Sequence, residues 1–82
     1  MNKEEIFELI KQLLVKVVPS MKGEAIAPDD AFKSYAVNSI ERMEVVMLLL
    51  EEVDLDIPRI ELLEGDTFGD LAAIVERKLI KI

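Results

Sequence analysis

Val37-Asn38-Ser39-Ile40-Glu41-Arg42-Met43-Glu44-Val45-Val46-Met47 is the stretch on which the reading of this chain turns. Asn38 is a strong helix N-cap, because its side-chain oxygen can accept from the first unpaired backbone amides. Glu41, three residues later, completes a capping-box pattern in which the carboxylate reaches back to the cap's own N–H. The spacing predicts a helix from Ser39 to about Val53. Its apolar residues fall into two stripes. Val45 or Val46, Leu49 and Val53 form one, and Ile40, Met43, Met47 and Leu50 form a second, offset one. One stripe is enough to bury a small helix. The surplus stripe reads as a surface for a partner protein, with Ile40, Met43 and Met47 as docking residues, Glu41, Glu44 and Glu51 as acidic neighbours, and methionines suited to adaptable contact. Arg42 breaks the acidic run, either to select a partner or to pair with a nearby glutamate.

Working outward, a long connection from Pro19 to about Asn38 precedes this helix. Gly23 and Pro28 punctuate it, Asp29-Asp30 is placed to cap a turn at Ala31-Phe32, and Ile26, Phe32 and Tyr35 are apolar enough to pin it down. Connections of this length in small domains are uncommon and often functional. Before it, Ile6, Ile10, Leu13, Leu14 and Val17 recur at helical steps, predicting a helix from about Lys3 to Val18, with Glu4 and Glu5 at the end favoured by the helix dipole and Pro19-Ser20 as its stop. After the central helix comes an extended Asp54-Leu55-Asp56-Ile57-Pro58, then a short helix at Ile60 to Leu63 and a turn at Gly65-Asp66. A last helix is capped by Thr67 with Asp70 and runs nearly to Ile82. No strand is expected. The fold class is all-α, a four-helix bundle with three longer helices, one short helix and a long loop after the first.

The chain has 82 residues, 51% of them hydrophobic, which fits a single domain over 1–82 with an aliphatic core. Acidic residues outnumber basic ones by 17 to 10, for a formal charge of −7. That excludes nucleic acid as a natural partner and fits docking on basic protein patches. Cysteine and histidine are both absent, so thiolate chemistry and a Ser-His triad are excluded, and a stand-alone enzyme is not expected. No metal site is expected either: read as an EF-hand, Asp54-Leu55-Asp56 fails because Arg59 stands at the glycine position and Gly65 at the final glutamate. The charged N-terminus does not read as a signal peptide, and the longest apolar run, Val45 to Leu50, is too short to span a bilayer. A cytoplasmic monomer is the expectation.

Ser39 is the candidate site. A serine at the start of a helix presents its hydroxyl to solvent, and a phosphodiester there meets the positive end of the dipole and unpaired N–H groups. It needs no base of its own if another enzyme performs the attachment. Position alone does not single it out, since an isolated Asn-Ser at a helix start is most often just a cap and its first residue.

The wider pattern adds a resemblance. The 37–47 stretch resembles the recognition segment of acyl and peptidyl carrier proteins, in which a Gly-x-Asp-Ser-Leu-type motif opens the second helix. Leu49-Leu50-Glu51-Glu52-Val53-Asp54-Leu55-Asp56-Ile57-Pro58 is similar to that family's acidic helix end and Ile-Pro. Thr67-Phe68-Gly69-Asp70-Leu71 resembles the start of its last helix. The resemblance covers nearly the whole chain and implies that Ser39 carries 4'-phosphopantetheine, with Asn38 beside it. Asn38 stands where the family usually has aspartate, and Ala36 where glycine is common; asparagine keeps the cap and loses the charge. A narrower likeness, in Asn-Ser-Ile-Glu-Arg-x-Glu-Val-Val-Met, is to discrete donor carriers of polyketide β-branching cassettes. The implied partners are a phosphopantetheinyl transferase, acyl-transfer and condensing enzymes of polyketide or fatty acid biosynthesis, and an enzyme similar to HMG-CoA synthase. The other reading is a helical interaction module that never holds a prosthetic group.

Overall fold

In a computed structural model that describes residues 2–35 and 37–80, three α-helices carry the fold: α1 (Lys3–Val17), α2 (Ser39–Glu52) and α3 (Phe68–Ile80). Three short 3-10 helices join them: η1 (Pro19–Met21), η2 (Phe32–Tyr35) and η3 (Arg59–Glu64). The all-α class is as expected. The short fourth helix is present at its expected place, but as a 3-10 element rather than an α-helix. Among the described residues no strand forms, only an isolated antiparallel bridge between Ala31 and Thr67. Lys81 and Ile82, at the expected end of the last helix, lie outside the described residues.

Each α-helix starts with the same reciprocal device, which satisfies donors the first turn leaves orphaned. Asn2 Oδ1 accepts from Glu5 N–H at 2.9 Å while Glu5 Oε1 accepts from Asn2 N–H at 3.0 Å. At α3, Thr67 Oγ1 accepts from Asp70 N–H at 3.0 Å, and Asp70 Oδ2 accepts from Thr67 N–H at 3.3 Å. The box at α2 is described below. That helix ends in a Schellman motif: Leu55 N–H donates to Leu50 O at 3.0 Å and Asp54 N–H to Glu51 O at 3.3 Å. The motif needs a left-handed residue, and Asp54 supplies it with φ 54°.

The core is aliphatic around one aromatic pair. Ile6, Ile10, Leu13 and Leu14 of α1 meet Val45, Val46, Leu49 and Leu50 of α2 and Leu71, Ala72, Ile74 and Val75 of α3. Leu50 therefore belongs to the core and not to the surplus stripe. Phe68 is fully buried and tilts against Phe32 with ring centroids 4.6 Å apart. Leu62 is the buried anchor of η3, which is also tied to α3 by a 2.7 Å ion pair between Lys78 and Glu61.

The long connection is stitched to the start of α3 rather than left loose. Phe68 N–H donates to Asp30 O at 2.9 Å and Gly69 N–H to Pro28 O at 2.6 Å, so loop carbonyls satisfy donors of the first helical turn. Gly69 is required there: a Cβ on it would lie 2.9 Å from the Pro28 oxygen. Phe32, Ile26 and Tyr35 pack on the core as expected, and Met21, which the sequence reading did not include, is buried as well. Asp30 does not cap the Phe32 turn. Its Oδ2 accepts instead from Ala27 N–H at 2.9 Å and from the Tyr35 hydroxyl at 2.6 Å. These two donors hold the Asp30 carboxyl below the usual carboxylate range, and the same bond, with burial and nearby acidic charge, pushes the Tyr35 phenol up to about 12.

Candidate functional site

The start of α2 has the local chemistry its sequence calls for. Asn38 lies outside the helix with extended backbone (φ −78°, ψ 171°). Its Oδ1 accepts from Glu41 N–H at 2.8 Å, and Glu41 Oε1 accepts from Asn38 N–H at 3.1 Å. Because Asn38 does the capping, Ser39 is left as the first helical residue, exposed, with its hydroxyl in no hydrogen bond among the described residues. Its own amide and that of Ile40 also have no protein acceptor among the described residues. An anionic group on the Ser39 oxygen would thus meet two available N–H donors at the positive end of a fourteen-residue helix.

Beside Ser39 opens a groove of about 540 Å³, lined by Ser39, Ile40, Met43, Glu44 and Met47. Ile40 is 80% exposed and Met47 41%, so these side chains stay wet although the core-facing stripe has been fully used. Met43 is half-buried and Glu44 and Glu51 are exposed. The helical repeat explains the grouping: Met43, Glu44 and Met47 lie three, four and seven residues after Ile40, on one face. The expected docking residues Ile40, Met43, Glu44, Met47 and Glu51 are brought to one exposed face, while Glu41 is half-buried and used in the cap.

Arg42 departs from the expected placement. It turns inward, with one guanidinium nitrogen donating to Gly65 O at 2.7 Å and the guanidinium carbon 5.0 Å from the Phe32 ring centroid. The cause is register. Arg42 precedes Val45, Val46 and Leu49 by three, four and seven residues, so it occupies the first turn of the buried stripe, and that spacing was readable in the sequence. Ala36, the other noted departure from the carrier pattern, lies outside the described residues.

Ile60 is the apolar surface residue that sequence reading missed. It stands on η3 and is 70% exposed. A second groove of about 510 Å³, lined by Met43, Pro58, Arg59 and Ile60, shares Met43 with the first. The signal was present in the Pro58-Arg59-Ile60 sequence, but a six-residue segment has too few turns for its outward face to be read from periodicity. Among the described residues no group of acidic side chains is arranged to hold a metal ion, and no helix is long and apolar enough to cross a membrane.

Comparison with known proteins agrees with this geometry. The family model described as the phosphopantetheine attachment site matches residues 8–75. The polyketide biosynthesis acyl-carrier-protein AcpK of Bacillus subtilis (strain 168) is 33% identical over 79 residues, covering 96% of both chains. A chain in the crystal structure of the curacin biosynthetic pathway HMG synthase in complex with acetyl donor-ACP superposes with a TM-score of 0.91 at 32% identity, covering 95% of this chain and 100% of that one. The reading as an adaptor without a prosthetic group gives way to these matches. An exposed serine hydroxyl, free helix-start amides and an adjoining apolar groove fit the group that the family carries, and the chain belongs to the phosphopantetheine-attachment family as an acyl carrier protein, a holder of acyl cargo and not a catalyst.

Proposed function

We propose that Ser39 Oγ is the attachment point of 4'-phosphopantetheine, and that the protein acts in polyketide biosynthesis as a donor carrier that delivers a small acyl unit to an HMG-synthase-like condensing enzyme. The observation that carries the attachment reading is the division of labour at the start of α2: Asn38 caps, so the Ser39 hydroxyl is spared and faces solvent. When attached, the arm supplies a thiol that holds the acyl group as a thioester. Everything else is done by the chain's own residues. The backbone amides of Ser39 and Ile40 receive the phosphodiester, and Ile40, Met43 and Met47, rimmed by Glu44 and Glu51, seat the partner. The names of the relatives support the pathway, since one is a polyketide carrier and the other is a donor carrier bound to an HMG synthase.

The reading extends to a phosphopantetheinyl transferase as a transient partner, to a chain that works as one monomeric carrier unit, and to the cytoplasm as its compartment. Attachment forms one P–O bond at Ser39 and releases the adenosine bisphosphate half of coenzyme A, so it is followed directly by intact mass. Incubation with a phosphopantetheinyl transferase and coenzyme A is expected to add one phosphopantetheinyl group to the wild type and none to Ser39→Ala. An adduct that survives Ser39→Ala, or no adduct on the wild type, would falsify the assignment. For the donor role, the acetyl-loaded protein is expected to acylate an HMG-synthase-like enzyme faster than a fatty-acid carrier does; equal rates would remove it.

A further inference from the structure

Arg42, in the first turn of α2, directs its guanidinium into the protein, where it meets both η3 and η2. Its guanidinium donates at 2.7 Å to the carbonyl of Gly65, the residue that ends η3. The same group lies over Phe32 of η2, which in turn packs on Phe68 of α3. Gly65 is itself buried and closely packed, since a Cβ there would come within 2.8 Å of Asp70 Cβ. The C-terminal end of η3 is therefore held in place by a charge-assisted hydrogen bond from α2, and its other side by the Lys78–Glu61 pair from α3. Next to the Glu61 tie stands Ile60, exposed and lining a groove that shares Met43 with the groove beside Ser39.

We propose that Arg42 is a positioning residue: by fixing η3 against α2 it sets Ile60 beside Ile40, Met43 and Met47, so that the two elements present a single apolar face to the condensing enzyme. This rests on the docking reading above and extends it to η3. The occupant is an enzyme surface with an apolar seat bordered by basic residues. The two grooves share Met43 as a wall, the α2 rim is acidic at Glu44 and Glu51, and the structurally similar donor carrier is found bound to an HMG synthase. A short 3-10 helix has little order of its own, so the face depends on what holds it. Arginine suits the task because its planar fork can bond a carbonyl while its flat surface covers a ring; lysine has only a point charge.

The test has two readouts. Amide hydrogen exchange on the free protein compares wild type with Arg42→Met, which keeps the apolar stem in place, and thermal melts confirm that the variant is folded. Exchange at residues 60–65 is expected to accelerate by about tenfold or more, the share of a charge-assisted hydrogen bond, while the amides of Val46 and Leu49 follow only the global change in stability. Equal acceleration everywhere, or none in η3, overturns the proposal. The second readout is delivery of acetyl from the loaded carrier to the curacin-pathway HMG synthase. Arg42→Met and Ile60→Ala are each expected to raise KM several-fold at unchanged kcat, and the double variant to be no worse than the worse single one, because both remove the same contact. Multiplying effects overturn the proposal, as does an Arg42→Lys protein that restores KM while η3 still exchanges fast, since the charge would then act directly on the enzyme. Met47→Ala, on the docking face but away from Arg42, is the control: if it leaves KM unchanged, the docking reading fails, while the exchange measurement still decides whether Arg42 holds η3.

Discussion

Single residues in this protein carry local tasks that the backbone around them sets. Asn38 is the clearest case, because it caps α2 with both halves of the box formed and does so without a formal charge. Asn38→Asp keeps the acceptor and adds an anion at the positive end of the helix, which should raise stability by about 0.3–1 kcal/mol at low salt and speed modification of Ser39, as read by chemical denaturation and by the time course of adduct mass. Asp54 does the opposite, holding a left-handed conformation that L-residues other than glycine adopt at a cost. Asp54→Gly is expected to stabilise by about 1 kcal/mol in urea melts, with no change in Ser39 modification. The Tyr35–Asp30 bond makes stability pH-dependent at both extremes. With its carboxyl pKa lowered on folding, Asp30 contributes fully above the unfolded value of about 3.9 and loses that contribution as pH falls through the folded one. Tyr35, raised to about 12, contributes fully below the unfolded value of about 10 and loses it as pH climbs from there toward 12. Melting temperature against pH should therefore flatten at both ends in Tyr35→Phe.

At the scale of elements, the helices were legible because periodicity and capping agree. The predicted limits of α1 and α2 fall within a residue of those observed, and the Thr67–Asp70 cap was read correctly. The Asn2–Glu5 box at α1 uses the same spacing as Asn38–Glu41 and was equally readable. What periodicity could not supply was anything set by contacts distant in sequence: the 3-10 form of η3, the burial of Met21 and the exposure of Ile60. Nor could it show that the long connection is ordered by its carbonyls accepting from the first amides of α3, or that Asp30 would turn back to Ala27 and Tyr35 instead of capping forward. The Gly69–Pro28 approach is the tightest point of that seam, so Gly69→Ala should cost roughly 1–3 kcal/mol by forcing the backbones apart, seen as a lower denaturation midpoint.

For the molecule as a whole, the assignment of apolar stripes carries the function. The candidate site was legible at Ser39 through motif and position, and the exposed apolar face proposed for docking through the surplus stripe, while Leu50 and Arg42 moved to the inside because each shares a helical face with the core valines. A chain of this size has only a few kcal/mol of net stability. Leu49→Ala, at a fully buried position, should cost about 2–5 kcal/mol and leave much of the population unfolded, with loss of a cooperative thermal transition by circular dichroism.

The cap of α2 resides on Asn38 and not on the serine beside it. Derivatising Ser39 removes no bond that the bundle relies on, so charged and uncharged forms should melt almost together, apart from the small gain an anion brings to the end of a helix. Scaffold integrity is thereby decoupled from loading history: a turnover cycle of filling and emptying leaves the bundle indifferent, and an enzyme must tell a full carrier from an empty one by the tip of the arm and not by any softening of the protein behind it.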